Sequence, residues 1–166
     1  LQAFRAPDGM LWAKWRAVQE AMAAEAEIVA QCRAEPVSCS SEAVRRFIAI
    51  VEETRGRDGR ARIETANRTI NASIRYVSDL AQHGVLDLWM SPLATLDAER
   101  GDCEDYAIAK YAALRAAGMA SDDLQLLLVR DRAVSLDHAV LAVRHEGRWL
   151  VLDNRLVTID QAVIAG

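Results

Sequence analysis

An α+β fold, with helices first and a small antiparallel sheet after them, is predicted by three features of the chain. The first half carries apolar residues at helical spacing in three long runs. The region from Gln125 to Asp153 carries short Val- and Leu-rich runs interrupted at Glu146-Gly147. Between these regions, Cys103 to Ala117 reads as an amphipathic helix with Ala107, Tyr111 and Leu114 on one face and Gly118 as its stop. At 166 residues, 52% of them apolar, the chain is long enough for one domain spanning 1–166 and too short for two comfortable ones. A net charge of −4 gives no general attraction for nucleic acid or an anionic membrane. No apolar run approaches the ~18 residues that membrane insertion needs. The chain begins Leu1-Gln2-Ala3 without a methionine or a basic stretch, which fits a processed or trimmed polypeptide whose missing segment could have been a secretion signal.

Each element has its own signal. Gly9 to Ala30 is rich in helix formers, with Leu11, Trp15, Val18, Met22, Ala26 and Val29 at helical spacing. Pro36 and Ser38, Ser40 and Ser41 mark a loop, and Ser41-Glu42 opens a second helix to about Glu53 with Val44, Phe47, Ile48 and Val51 inward. Thr54 to Arg60 reads as a charged, glycine-spaced connector, because Asp58 and Glu52-Glu53 offset Arg57 and its neighbours. A third helix is expected from Ala61 to Gln82, with Ile63, Ala66, Ile70, Ile74, Val77 and Leu80 on one stripe and His83-Gly84 at its end. Val85 to Arg100 reads as an irregular segment that delivers the chain to Gly101, with Trp89 either lining a site or anchoring the core. Gln125 to Arg130 reads as a strand, 131–136 as a loop, and 157–165 as a short, weakly patterned tail.

The chemistry concentrates in Gly101-Asp102-Cys103-Glu104-Asp105-Tyr106. Cys103 falls in the first helical turn, where unpaired N–H groups and the helix dipole favour a thiolate. Asp102, Glu104 and Asp105 crowd the same turn and work against it, so a positive partner is required. A purely structural alternative makes Asp102 an N-cap, Asp105 its capping partner and Cys103 a small buried apolar residue.

Downstream lie Asp137-His138-Ala139 and Leu152-Asp153-Asn154. A two-residue hairpin turn at Glu146-Gly147 pairs His145 with Arg148, Val143 with Leu150 and Leu141 with Leu152. Continued outward, that register sets His138 opposite Arg155 and diagonal to Asp153, within side-chain reach, and leaves open which cation the carboxylate takes. The alternative for His138 and Asp153 is a satisfied polar pair at a sheet edge. Cys32 and Cys39 lie close in sequence; if they pair, Cys103 is left as the odd thiol of an oxidised chain, and if they do not, all three are reduced.

The three motifs, from Asn71 to Asn154 and in this order, resemble the bacterial transglutaminase-like cysteine peptidases, the group that contains the LapG-type periplasmic proteases. The resemblance implies a papain- and transglutaminase-like fold, a Cys103, His138, Asp153 triad and peptide hydrolysis. It implies calcium bound by Asp102 and Glu104, with Asp105 a weaker ligand, and it favours the Cys32–Cys39 disulfide. It also implies a periplasmic setting, a large surface adhesin as protein substrate and an inner-membrane receptor as partner. The N–H of Cys103 is one expected oxyanion donor, and Trp89 is proposed as the second. Transfer of the acyl group to an amine, as in a transglutaminase or amidase, and a catalytically idle binding module are the alternatives carried on the same fold.

Overall fold

The computed structural model describes residues 9–131, 136–156 and 158–162. Helix α1 spans Met10–Ala34, α2 Glu42–Arg55 and α3 Gly59–Ser73. Strand β1 (Arg75–Tyr76) and helix α4 (Asp79–His83) follow, then α5 (Pro92–Ala98), strand β2 (Arg100–Gly101) and the Cys103–Ala116 helix, α6. The chain closes with β3 (Leu124–Asp131), β4 (Leu136–His145), β5 (Arg148–Leu152) and β6 (Asp160–Ala162), an antiparallel sheet in the order β3-β4-β5-β6. The expected 131–136 loop lies largely outside the described residues, as do the chain start and both ends of the tail. The tail does contribute β6, paired along β5.

Helix α6 is the shared wall of two cores. Tyr106, Ala109 and Ala113 pack with Val44, Phe47 and Val51 of α2 and Leu93 and Leu96 of α5. Ala107, Tyr111 and Leu114 pack with Ile63 and Ala66 of α3 and with Leu141, Val143, Leu150 and Leu152 of the sheet. The helix is therefore buried nearly all round from Asp105 to Leu114, not on one face as an amphipathic helix would be. Its alanines explain the difference, since small side chains let two layers approach a single helix.

Helix α1 lies on the outside. Val18 and Cys32 are its buried residues, while Trp15 and Met22 pack in part and Leu11 is exposed. It is fastened by the Cys32–Cys39 disulfide, by Glu25, which accepts from the Ser91 hydroxyl and the Leu93 N–H, and by an edge-on contact of Trp15 with Tyr111 at 5.0 Å.

Two expectations need correction. The third helix does not reach Gln82. Ile74 is already extended, and Arg75 and Val77 donate N–H bonds to the carbonyls of Glu99 and Gly101, so pairing with the segment before α6 overrides the helical stripe. The segment 85–100 is not wholly irregular either. Pro92 begins α5 directly after Ser91, a helix start that the Ser-Pro pair signals. Along the β4–β5 hairpin the expected pairs are present: His145 with Arg148, Val143 with Leu150 and Leu141 with Leu152. Glu146 and Gly147 both have positive φ, 50° and 75°, as a two-residue hairpin turn of this kind demands.

Candidate active site

Cys103 is the first residue of α6, after Asp102 as N-cap. The turn is built around Asp105, which is fully buried. Its Oδ2 accepts from the Asp102 N–H at 3.2 Å and its Oδ1 from the Met90 N–H at 2.9 Å. One carboxylate thus closes the helix start and ties the loop before α5 to it. Gly101 is the consequence. A Cβ there would lie 2.5 Å from Asp105 Oδ2 and 2.7 Å from its Cβ, so the position excludes every other residue unless the turn shifts.

The Cys103 sulfur donates to Glu104 Oε2 at 2.9 Å. Burial is the first cause that pushes the thiol up, to about 12; the Glu104 carboxylate adds to it and the Ala139 N–H works against it. Burial also pushes Asp102 up to about 9, helped by its neighbours Glu104, Asp105 and Asp79, and Asp105 up to about 7. This turn carries more negative charge than its surroundings can hold.

His138 is buried on β4, and its Nε2 lies 3.0 Å from Asp153 Oδ1. With Nε2 engaged by Asp153, Nδ1 is the ring nitrogen at which a second partner could be met. Asp153 follows the last residue of β5, so the ladder ends before reaching it, and it sits in a turn pinned from α3. Asn71 Nδ2 donates to the carbonyls of Asp153 and Leu156, and Asn67 Nδ2 to that of Leu156. The register left the carboxylate's cation open, and both partners take it: Arg155 donates to Asp153 through its backbone N–H at 2.8 Å and through Nη2 at 3.0 Å. Burial would raise the Asp153 carboxyl, but the bonds from His138 and Arg155 outweigh it and hold the group well below the usual carboxylate range.

His138 and Asp153 are thus brought together at the end of the sheet, and α6, which Cys103 opens, packs against the strand that carries His138. The acidic residues also gather. Asp102, Cys103 and Glu104 offer ligand atoms within 4.8 Å of one another, as do Asp79, Asp102 and Asp105. Among the described residues, Asp102 Oδ1 and Asp79 Oδ1 are buried and have no hydrogen-bond partner. Asp105 is a poorer donor, since both its oxygens already accept N–H groups. Asp79 escaped the sequence reading: its only signal was an acid after Ser78, hidden inside what reads as a continuous helical stripe. Trp89 Nε1 is buried and without a partner, and Lys14 Nζ lies 5.9 Å over its ring.

A family model described as bacterial transglutaminase-like cysteine proteinase matches residues 19–163. Among solved structures, calcium-bound LapG of Legionella pneumophila is similar over 81% of this chain and 76% of its own, at 26% identity and a TM-score of 0.67. The EGTA-treated form of that protein is similar over 82% and 73%, at 25% identity and 0.66. A putative cysteine protease from Cytophaga hutchinsonii shares the fold at 12% identity and a TM-score of 0.51, over 76% of this chain and 48% of that one. No curated protein matches the sequence.

Proposed function

The chain belongs to the bacterial transglutaminase-like cysteine proteinases and is a cysteine peptidase, and from that premise we propose that it is a calcium-dependent endopeptidase using Cys103, His138 and Asp153. One observation carries the reading: His138, on the strand against which the helix opened by Cys103 packs, is held through Nε2 by Asp153 at 3.0 Å. A nucleophilic thiol, a base and an orienting carboxylate are the three groups such a mechanism needs.

In this reading His138 takes the thiol proton, and the sulfur attacks the carbonyl carbon of the scissile peptide. The C–N bond breaks as the imidazolium returns the proton to the leaving amine, and water then hydrolyses the thioester. Asp153 keeps the Nε2 proton in place and the ring turned so that Nδ1 serves the sulfur. The N–H of Cys103 at the start of α6 is the first oxyanion donor, and the unpartnered Nε1 of Trp89 is the group proposed as the second.

Asp102 and Glu104 would hold calcium, with Asp79 and, less favourably, Asp105 beside them. A divalent cation there supplies positive charge against the carboxylates that disfavour a thiolate. The calcium-bound form of the similar Legionella pneumophila protein supports this choice of metal. The Cys32–Cys39 disulfide supports an oxidising compartment, and we assign the protein to the periplasm on that ground. A protein substrate follows from the peptidase class. The family resemblance makes a large surface adhesin the first substrate to test and an inner-membrane receptor the first regulator.

The test is cleavage of adhesin-derived segments followed by mass spectrometry. Cys103→Ala is expected to abolish cleavage while leaving the melting temperature nearly unchanged, and a variant that still cuts overturns the mechanism. Incorporation of an added amine into the acyl product, in place of hydrolysis, would move the reading to acyl transfer.

A further inference from the structure

Helix α1 buries few side chains, yet two of its charged residues reach the same short segment. Of its 25 residues, Val18 and Cys32 are buried. Lys14 meets Asp87, its Nζ lying 2.5 Å from Oδ2 and donating to the carbonyl at 3.2 Å, and it stands 5.9 Å over the ring of Trp89. Glu25 takes the other end: it accepts from the Ser91 hydroxyl, and its Oε2 accepts from the Leu93 N–H at 3.1 Å. Lys14 and Glu25 lie about three turns apart and share a face of α1, roughly 16 Å from one another along its axis. An extended chain needs about five residues for that span, so the helix holds the 87–93 segment near both ends.

Glu25 also supplies what Ser91 does not. Ser91 is the N-cap of α5, but its hydroxyl makes no cap bond and donates to Glu25 instead. The carboxylate takes its place at the Leu93 N–H, where a negative charge suits the positive end of a helix.

The segment held in this way borders the site. Met90, between Trp89 and Ser91, donates its N–H to Asp105 Oδ1 at 2.9 Å, and Asp105 Oδ2 accepts from the N–H of Asp102, the N-cap before Cys103. Hydrogen bonds and covalent links therefore run unbroken from Glu25 through 90–93 and Asp105 to the helix start. The two groups assigned to the oxyanion, the N–H of Cys103 and the buried Nε1 of Trp89, are joined through the Met90–Asp105 bond. Their relation is only as fixed as the segment that carries Met90.

We propose that Glu25 is a positioning residue of the peptidase: with Lys14 as the second anchor, it clamps the 87–93 segment against the Cys103 turn and so fixes Trp89 relative to the N–H of Cys103. The inference rests on the catalytic reading of Cys103 and on Trp89 as an oxyanion donor. A displaced donor weakens only a reaction that builds negative charge on an oxygen. Alkylation of the sulfur builds none.

The test compares two reactions of one sulfur, on the full chain in excess calcium and at a single pH. p-Nitrophenyl acetate is attacked at its carbonyl carbon, passes through a tetrahedral oxyanion and releases p-nitrophenolate as the S-acetyl thioester forms. Iodoacetamide is attacked at its methylene carbon, and iodide leaves with no oxyanion formed. Both reactions consume the same thiolate, so the ratio of acylation to alkylation is independent of how the thiol titrates; Cys103→Ala supplies the background. Glu25→Ala is expected to lower that ratio about tenfold, less than the ~10²–10³ that outright loss of an oxyanion donor costs. Trp89→Phe should lower it at least as far. Glu25→Gln should stay within about twofold of wild type, because its amide oxygen still accepts from Leu93 and the Ser91 hydroxyl can accept from its amide nitrogen. Lys14→Met, which frees the other end, should lower the ratio too and keeps the test independent of how Glu25→Ala folds. Arg33→Met removes the ion pair of α1 with Glu52 at 2.7 Å, away from the segment, and should leave the ratio level. A ratio that Trp89→Phe lowers but Glu25→Ala and Lys14→Met do not, or that Arg33→Met lowers equally, overturns the clamp and leaves the catalytic reading standing. A ratio unchanged in Trp89→Phe removes the oxyanion role of Trp89 and the clamp with it. Wild-type Cys103 reacting with neither probe faster than an ordinary thiol overturns the catalytic reading as well.

Discussion

At the sheet edge, Asp153 is surrounded by donors: His138 and Arg155 satisfy both of its oxygens, and its carboxyl is held below the ordinary range. At the start of α6 the opposite holds. Asp102 and Asp79 each bury an oxygen that no described residue donates to, Glu104 takes a bond from the thiol, and Asp102, Cys103 and Asp105 are all pushed toward their protonated forms. One half of the site has its donors in place, whereas in the other half acids crowd together and disfavour one another's charge. On the proposed mechanism the base and its orienting acid would need nothing from outside, so control over the reaction would reside in the turn that carries Cys103.

The sharpest way to break the contrast is to remove one acid from each half. Asp153→Asn is expected to lower the cleavage rate by about 10²–10⁴-fold through loss of the imidazole's partner, and added calcium will not restore it. Asp102→Ala with Glu104→Ala should instead remove a calcium-induced rise in melting temperature, which for the wild type at a hundredfold excess over Kd corresponds to about 2.7 kcal/mol. Differential scanning fluorimetry with and without EGTA reads the second effect. A wild type indifferent to calcium would show that the acidic turn is complete in its own right.

Within the acidic turn, Asp105 is the member that behaves as structure, and Gly101 tests it. A methyl group at 101 drives into a buried carboxylate that joins two segments, so Gly101→Ala should destabilise by about 1–3 kcal/mol, or roughly 2–10 °C in melting temperature. An unchanged melting temperature would mean that the turn can shift and that Asp105 is not its staple.

The parts of this site that could be read from residues alone are those with local determinants. The helix start at Cys103 has a capping pattern within four residues, and the hairpin register is set by two turn residues and confirmed as far as Leu152. The apolar face of the hairpin, Leu141, Val143, Leu150 and Leu152, was legible for the same reason. What could not be read depends on contacts across the chain. The break at Ile74 is imposed by pairing with Glu99 and Gly101, which no window around residue 74 contains. Asp79 becomes an acid of the cluster only because that break turns the chain. Lys110 looks like the solvent-facing residue of an amphipathic helix until a second layer covers it.

The smallest expected effect is a slope. Asp105 and Asp102 have folded-state values raised to about 7 and about 9, burial being the first cause for each, while in the unfolded chain they titrate near ~4. Between those limits the folded protein holds protons that the unfolded chain has released. Their contribution to stability is therefore fully present below about pH 4 and is lost as pH rises through the folded values. Lys110, whose value is lowered, acts in the other sense: its burden on the fold is relieved as pH rises above about 7, so the acids are best isolated between about pH 4.5 and 6.5. In EGTA, the melting temperature of the wild type should fall across that window more steeply than that of Asp102→Asn, which cannot release the proton. Saturating calcium should flatten the wild-type slope, because a cation favours the ionised carboxylates of the folded state. Parallel slopes in all three conditions would remove the charge imbalance from the acidic turn, and with it the physical difference between the two halves of the site.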